Sequence, residues 1–190
     1  MSIKSDIMPV ILSGGTGTRL WPSSRKSLPK QFINFAGQSS LFTQTLKRAK
    51  HLSSTNKAII ISSKNYGFLC HNEVSKTSMK AEFILEEIGR NTAPAIYFAS
   101  KLAFENDEKS ILCFMPSDHW IEDISAFSEM IYKSISLAKN DNWVTFGIKP
   151  LEPVTGYGYI NSKKISYDEY DVISFEEKPN LKKAKFFLKN

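Results

Sequence analysis

The stretch Met8-Pro9-Val10-Ile11-Leu12-Ser13 runs directly into Gly14-Gly15-Thr16-Gly17-Thr18-Arg19-Leu20, and that junction decides the fold. The apolar run is of strand length, too short for a membrane span or the hydrophobic part of a secretory leader. Because glycine has no Cβ, the backbone N–H groups of positions 14–18 can come close to phosphate oxygens. Arg19 then adds a fixed positive fork. The segment is neither a Gly-x-x-x-x-Gly-Lys phosphate loop nor a dinucleotide fingerprint, since Leu20 stands where the latter has its third glycine. Taken by itself such a loop is more often a plain strand-ending turn, so its meaning depends on its surroundings.

Outward from that junction, apolar runs of strand length at 57–62, 81–85, 110–115 and 143–147 alternate with segments of helical period at 41–50, 93–104 and 125–139. In the last of these Ile131, Ile135 and Ala138 share one face. Alternation of this kind predicts an α/β fold. The run Ala58-Ile59-Ile60-Ile61 shows no polar alternation, as expected of a parallel strand covered by helices on both sides, so the core is predicted to be a three-layer sandwich. Ligands of such sheets bind beyond the carboxyl ends of the strands near a topological switch point, which directs attention to the loops after Ser13, Leu85 and Met115. After Gly147 the pattern changes. Pro150, Pro153, the Gly156-Tyr157-Gly158-Tyr159 stretch and a short segment at 172–176 predict a hairpin-like lobe, followed by a helix at 181–188.

Composition narrows the function. With 190 residues, 42% hydrophobic and 23% charged, the chain is expected to form one globular domain, with 1–147 as its nucleotide-binding part and 148–190 as the start of a second part. The formal charge of +6 suits an anionic ligand, but the lysines are spread along the chain without a basic stripe or interleaved aromatics. Nucleotides and sugar phosphates are therefore better candidates than nucleic acid. Cys70 and Cys113 sit among apolar neighbours and are expected to be buried, reduced thiols; His51, His71 and His119 lack zinc-ligand spacing. A cytoplasmic protein with no membrane partner is expected, and homo-oligomerisation is left open.

Further motifs give the glycine loop its context. It continues as Trp21-Pro22-Ser23-Ser24-Arg25 and then Pro29-Lys30-Gln31-Phe32, so that Arg19 and Lys30 supply cations to one anion site. The third strand is followed by Gly89-Arg90-Asn91-Thr92-Ala93-Pro94-Ala95, where Thr92 or Asn91 is suited to cap a helix with Pro94 in its first turn. The fourth strand ends in Phe114-Met115-Pro116-Ser117-Asp118-His119, which places a carboxylate where magnesium and nucleotide phosphates would meet, so Asp118 is the expected metal ligand. His119 is expected to pack or hydrogen-bond locally and not to act as a base. Two later strings are Thr155-Gly156-Tyr157-Gly158-Tyr159-Ile160 and Phe175-Glu176-Glu177-Lys178-Pro179.

These motifs, in this order from Met8 to about Leu188, resemble the sugar nucleotidyltransferase family. Trp21-Pro22, Ser24-Arg25 and Lys30-Gln31-Phe32 are similar to its mannose-1-phosphate guanylyltransferase branch. The resemblance implies a Rossmann-like, three-layer nucleotidyltransferase domain with a mostly parallel sheet and a small sugar-side β lobe. It also implies nucleotide contacts from Gly14, Gly15, Thr16, Gly17, Thr18, Arg19, Asn91 and Thr92, with Arg90 beside them. Glu86 is the candidate acceptor for a guanine amino group. On the sugar-phosphate side Gly156 and Glu177 would meet sugar hydroxyls and Lys178 the sugar phosphate. In that family a second magnesium-binding aspartate, and usually a further domain, come from sequence beyond the equivalent of Asn190.

The reaction implied is attack by a phosphate oxygen of mannose 1-phosphate on the α-phosphorus of GTP, giving GDP-mannose and pyrophosphate. The nucleophile is already ionised, so positioning and charge neutralisation by Arg19, Lys30, Asp118 and Lys178 with Mg2+ would suffice, without a general base. The alternatives are a related enzyme such as a glucose-1-phosphate thymidylyltransferase, and a truncated, non-catalytic nucleotide- or sugar-phosphate-binding module. An isoprenoid-pathway cytidylyltransferase shares a glycine loop and a Pro-Lys-Gln segment but gives no reason for the two later strings.

Overall fold

A computed structural model describes residues 7–15, 20–34 and 39–189 of the chain. It divides into two compact units, 1–142 and 143–190, a division earlier in the chain than the change of sequence pattern after Gly147. In the first unit β1 (Ile7–Ser13), α1 (Leu41–Leu52), β2 (Lys57–Ser63), α2 (Gly67–Ser75), β3 (Lys80–Glu86), α3 (Thr92–Asn106), β4 (Ile111–Pro116) and α4 (Ile124–Lys139) follow one another. The strands form one parallel sheet in the order β3-β2-β1-β4, with Val10 opposite Ile59 and Ile11 opposite Met115. This is the α/β architecture expected from the alternating pattern.

Burial explains the uninterrupted apolar runs. Successive strand residues point to opposite faces. Ile11 and Ile60 join Phe42, Leu46, Ala49 and Leu52 of α1, Cys70 of α2, and Ile131 and Ile135 of α4. Val10, Ile59 and Ile61 face the other way and meet Ala95, Ala99 and Ala103, a stripe of small residues at four-residue spacing along α3. The central apolar side chains of β1 and β2 thus leave water whichever way they point, and burying a Val or Ile side chain fully stabilises by roughly 1.5–3 kcal/mol.

Helix termini are set locally. Ser40 caps α1 by accepting from the Thr43 N–H, and Asp123 caps α4 by accepting from the Ala126 N–H at 2.8 Å. The Glu73 carboxylate of α2 accepts from the Ser40 hydroxyl at 2.7 Å, from the Thr43 hydroxyl and from Lys76 Nζ at 2.5 Å, which ties the start of α1 to α2.

The second unit contains β5 (Tyr159–Lys164), β6 (Tyr170–Glu176) and α5 (Leu181–Lys189). The strands form an antiparallel hairpin with a register irregularity at Asn161/Ser162. Asn180 accepts from the Lys183 N–H at the start of α5, and the Tyr159 and Phe187 rings lie 5.5 Å apart.

One expected element is absent. Residues 143–147 form no strand; Trp143 is 86% exposed, and no described strand offers these residues a ladder. A β-rich run becomes a strand only when its N–H and C=O groups find partners. The helix α2 was not foreseen. It buries only Gly67 and Cys70, so its sequence carries little apolar periodicity.

Candidate active site

In the first unit β2 and β3 lie on one side of β1 and β4 on the other, so the side on which successive parallel strands are added switches between β1 and β4. The crevice beyond their carboxyl ends is the switch point where ligands of such sheets bind. At the end of β1, Ser13 is buried and Gly14 and Gly15 are exposed. Gly15 has φ +86°, a left-handed conformation that a side chain would strain. Thr16, Gly17, Thr18 and Arg19 lie outside the described residues.

At the end of β4 the Ser117 N–H donates to the Leu12 carbonyl of β1 at 2.9 Å, continuing the ladder one residue past the strand. The next residue, Asp118, turns its carboxylate out and pairs with Lys30: Nζ lies 2.6 Å from Oδ2, with the two side chains 33% and 30% exposed. The imidazole of His119 is 4.0 Å from the other carboxylate oxygen. Two residues 88 positions apart in sequence, each nominated for phosphate or metal chemistry, are thus in direct contact.

Local structure delivers Lys30 to this position. Arg25 and Leu28 exchange backbone hydrogen bonds in a tight turn. A single 3₁₀ turn, Lys30–Phe32, then buries Gln31 and Phe32, and the Phe32 ring lies 5.2 Å from that of Phe42 on α1. With its neighbours buried, the lysine is left to reach outward. An ion pair this exposed contributes only ~0–1 kcal/mol to stability, so the fold depends little on it.

At the end of β3, Glu86 is half-buried and Asn91 and Thr92 are exposed. Asn91 occupies the N-cap position of α3, but its side chain makes no cap hydrogen bond, and Thr92 is the first helical residue. The capping expected of this pair is therefore not made. Asn91 instead has φ 62° and ψ −162°, a region populated almost entirely by glycine. Among the described residues, neither Glu86, Asn91 nor Thr92 has a hydrogen bond or ion pair to Lys30 or Asp118.

In the second unit the two late motifs converge. The Lys178 N–H donates to the Tyr157 carbonyl at 3.2 Å, and Lys178 itself has φ 47°. A Cβ on Gly158 would lie 2.2 Å from the Phe175 ring and 3.1 Å from a Glu177 carboxylate oxygen, so a side chain there would displace the ring. Gly156 has open space around it. Glu177 and Lys178 pair at 2.7 Å and are both more than half exposed, leaving a carboxylate and an ammonium side by side at the end of β6.

Residues 8–190 match the Nucleotidyl transferase family. The chain belongs to that family. It is 40% identical over 185 residues to the xanthan biosynthesis protein XanB of Xanthomonas campestris pv. campestris, covering 97% of this chain and 39% of that protein. It is 38% identical over 195 residues to an Escherichia coli mannose-1-phosphate guanylyltransferase, covering 98% of this chain and 42% of that one. The crystal structure of a Thermus thermophilus protein described as a mannose-1-phosphate geranyltransferase superposes with a TM-score of 0.86 at 26% identity, covering 97% of this chain and 53% of the other. The chain thus spans about two fifths of the length of the curated relatives it matches.

The two thiols are held in their neutral form. Cys70 is fully buried, which pushes its pKa upward, and burial raises that of Cys113 to about 12. Neither is a thiolate near neutral pH. Among the described residues no three His, Cys, Asp or Glu side chains gather as a metal cage. Magnesium keeps several waters and is commonly held by one or two carboxylates plus substrate phosphates, and the part-exposed Asp118 carboxylate is compatible with that chemistry. No helix of the described residues is long and apolar enough to cross a membrane.

The sequence reading overlooked a buried polar layer associated with the same loops. Gln31 Nε2, Ser117 Oγ, and Arg48 Nε and Nη1 are buried without hydrogen-bond partners among the described residues. Arg48 is 1% exposed and lies on α1. The signal was present, because Leu41, Thr45, Arg48 and Leu52 fall on one helical face and a cation does not belong on an apolar stripe.

Proposed function

We propose that this chain is the nucleotide- and sugar-phosphate-binding portion of a mannose-1-phosphate guanylyltransferase, transferring GMP from GTP to α-D-mannose 1-phosphate. The observation that carries the reading is the Lys30–Asp118 contact of 2.6 Å at the switch point between β1 and β4. A cation that can turn to a phosphate and a carboxylate that can hold magnesium are there side by side. The names of the E. coli relative and of other bacterial relatives support the choice of guanine and mannose.

In the reaction a phosphate oxygen of mannose 1-phosphate forms a bond to the α-phosphorus of GTP while the bond from that phosphorus to the bridging oxygen of the β-phosphate breaks. Pyrophosphate leaves and GDP-mannose remains, with no covalent enzyme intermediate. Lys30 would attract the phosphates of GTP and Lys178 the phosphate of mannose 1-phosphate, the backbone N–H groups of positions 14–18 and Arg19 would receive the departing pyrophosphate, and Asp118 would hold Mg2+. Bound magnesium supplies neutralisation of phosphate charge. Asn91 and Thr92 border the nucleotide, Glu86 accepts from the guanine amino group, and Gly156 and Glu177 meet sugar hydroxyls.

The test is a thermal-shift comparison with Mg2+ and GTP, ATP, CTP or dTTP. A ligand that binds only the folded state raises its melting temperature by mass action, and GTP is expected to give the largest rise. Equal shifts for all four would sink the guanine assignment. Pyrophosphate release with GTP and mannose 1-phosphate, set against glucose 1-phosphate, tests the sugar.

A further inference from the structure

We propose that Arg48 is a positioning residue for Asp118: from the buried face of α1 it grips the carbonyl of His119 and fixes the loop that presents the carboxylate. The inference deepens the reading given above and rests on Asp118 being the magnesium-side carboxylate.

The geometry is that of a clamp. Asp118 is flanked by two backbone anchors, the Ser117 N–H on the Leu12 carbonyl at 2.9 Å and the His119 carbonyl on Arg48 Nη2 at 3.2 Å. With both neighbours held, the backbone that carries the carboxylate is fixed, and the carboxylate meets Lys30. Nη2 is itself oriented by Thr45 Oγ1, one turn back on α1, at 2.6 Å, and Thr45 in turn donates to the Leu41 carbonyl at 2.9 Å. The guanidinium carbon stands 5.9 Å from the centre of the Phe127 ring of α4. The grip therefore joins two helices to a loop 71 residues away in sequence.

An arginine makes that contact at a high desolvation cost. It is 1% exposed, has no ion-pair partner among the described residues, and keeps Nε and Nη1 unbonded there. Burial pulls its pKa down, yet a guanidinium stays charged in proteins, so that cost is not escaped by losing a proton. A residue serving only to fill volume would be replaced by Met or Leu with a gain in stability. What an apolar side chain cannot do is donate to a carbonyl beside Asp118, and hydrogen bonds that hold a metal ligand from behind set metal affinity.

The test uses Mn2+ as the metal probe, its free concentration read by electron paramagnetic resonance at saturating GTP, with metal-free GTP affinity measured by calorimetry. Arg48→Met is expected to weaken Mn2+ binding about ten- to a hundredfold while leaving metal-free GTP binding and a cooperative melt in place, and Arg48→Lys to recover part of the loss. Unchanged Mn2+ affinity in folded Arg48→Met overturns the proposal, as does an equal loss of metal-free GTP binding, which marks a general structural role. If Arg48→Met does not fold, Thr45→Val decides: loosening the guanidinium should weaken Mn2+ binding in the same direction, and parental affinity overturns the proposal. Asp118→Asn separates the two layers of the argument. If it binds Mn2+ as the parent does, the reading of Asp118 fails; if it loses Mn2+ while Arg48→Met does not, only the role of Arg48 fails.

Discussion

Lys30 and Asp118 satisfy each other across 2.6 Å with about a third of each side chain in water, so either can be recruited by a ligand at small cost in stability. Replacing Lys30 with Ala should therefore leave the fold intact and weaken GTP binding by about 1.5–3 kcal/mol, the scale of a hydrogen bond to a charged group. Arg19→Ala should behave alike. Calorimetry with GTP checks both, and a folded variant binding as tightly as the parent would remove that residue from the phosphate site. Sequence reasoning reached Lys30 and Asp118 only through the ordered motifs around them, because a lysine after a turn is by itself usually a surface residue and an aspartate before a helix usually a cap. It missed Arg48, whose neighbours Lys47 and Lys50 make it look like one more solvated cation of a basic helix; only its helical phase sets it apart. It offered Asn91 as a cap but could not show that Asn91 takes the N-cap position with a glycine-like backbone and without the cap hydrogen bond.

The first four strands and four of the helices, α1, α3, α4 and α5, were legible because two-sided burial and amphipathic period leave opposite marks on a sequence. The 143–147 segment misled for the same reason: its residues suit a strand, but pairing is a non-local property. Helix α2 is held by something pattern cannot show, the acceptance by Glu73 of hydroxyls from Ser40 and Thr43 at the start of α1. Burial alone would raise the pKa of Glu73, but hydrogen bonds from Lys76, Thr43 and Ser40 outweigh it and the net shift is downward. A depressed carboxylate pKa stabilises the fold above the unfolded value of about 4.3 and loses that stability as pH falls through the folded value. Glu73→Ala should destabilise the protein by about 1–3 kcal/mol at pH 7, since the hydroxyls of buried Ser40 and half-buried Thr43 lose their acceptor, and by less as the pH drops toward 4. Urea unfolding at both pH values checks this. A destabilisation that does not shrink on acidification would mean that Glu73 acts through packing and not through its charge.

The α/β order β3-β2-β1-β4 buries one face of the sheet under α1, α2 and α4, and α3 packs on the other among the described residues of the first unit. That helix turns Ala95, Ala99 and Ala103 inward, and the opposite side carries Tyr97 at 64% exposure and Phe104 at 64%, with Lys101 between them. Positions 97, 101 and 104 follow one another at four- and three-residue spacing, so the aromatics make one stripe, and Phe98 extends it with its ring 5.5 Å from that of Tyr97. Exposed aromatic surface of this kind, when contiguous, marks a place where apolar contact is gained on association. The net charge of +6 opposes contact between copies, but its repulsion is screened beyond about 10 Å at 0.1 M salt whereas apolar burial is not. The chain should therefore self-associate as concentration rises, and more strongly at 0.5 M than at 0.05 M NaCl, conditions chosen to span roughly the range over which screening changes. Phe104→Lys should reverse the effect, because it interrupts the stripe and adds a second cation one turn from Lys101 without touching the alanines that pack on the sheet. Sedimentation velocity at several concentrations reads the outcome. Monomer at every concentration and salt would show that Lys101 and the surrounding charge already protect the face. Association that survives Phe104→Lys would place the contact elsewhere, with exposed Trp143, Ile148 and Leu151 of the second unit the next to be replaced.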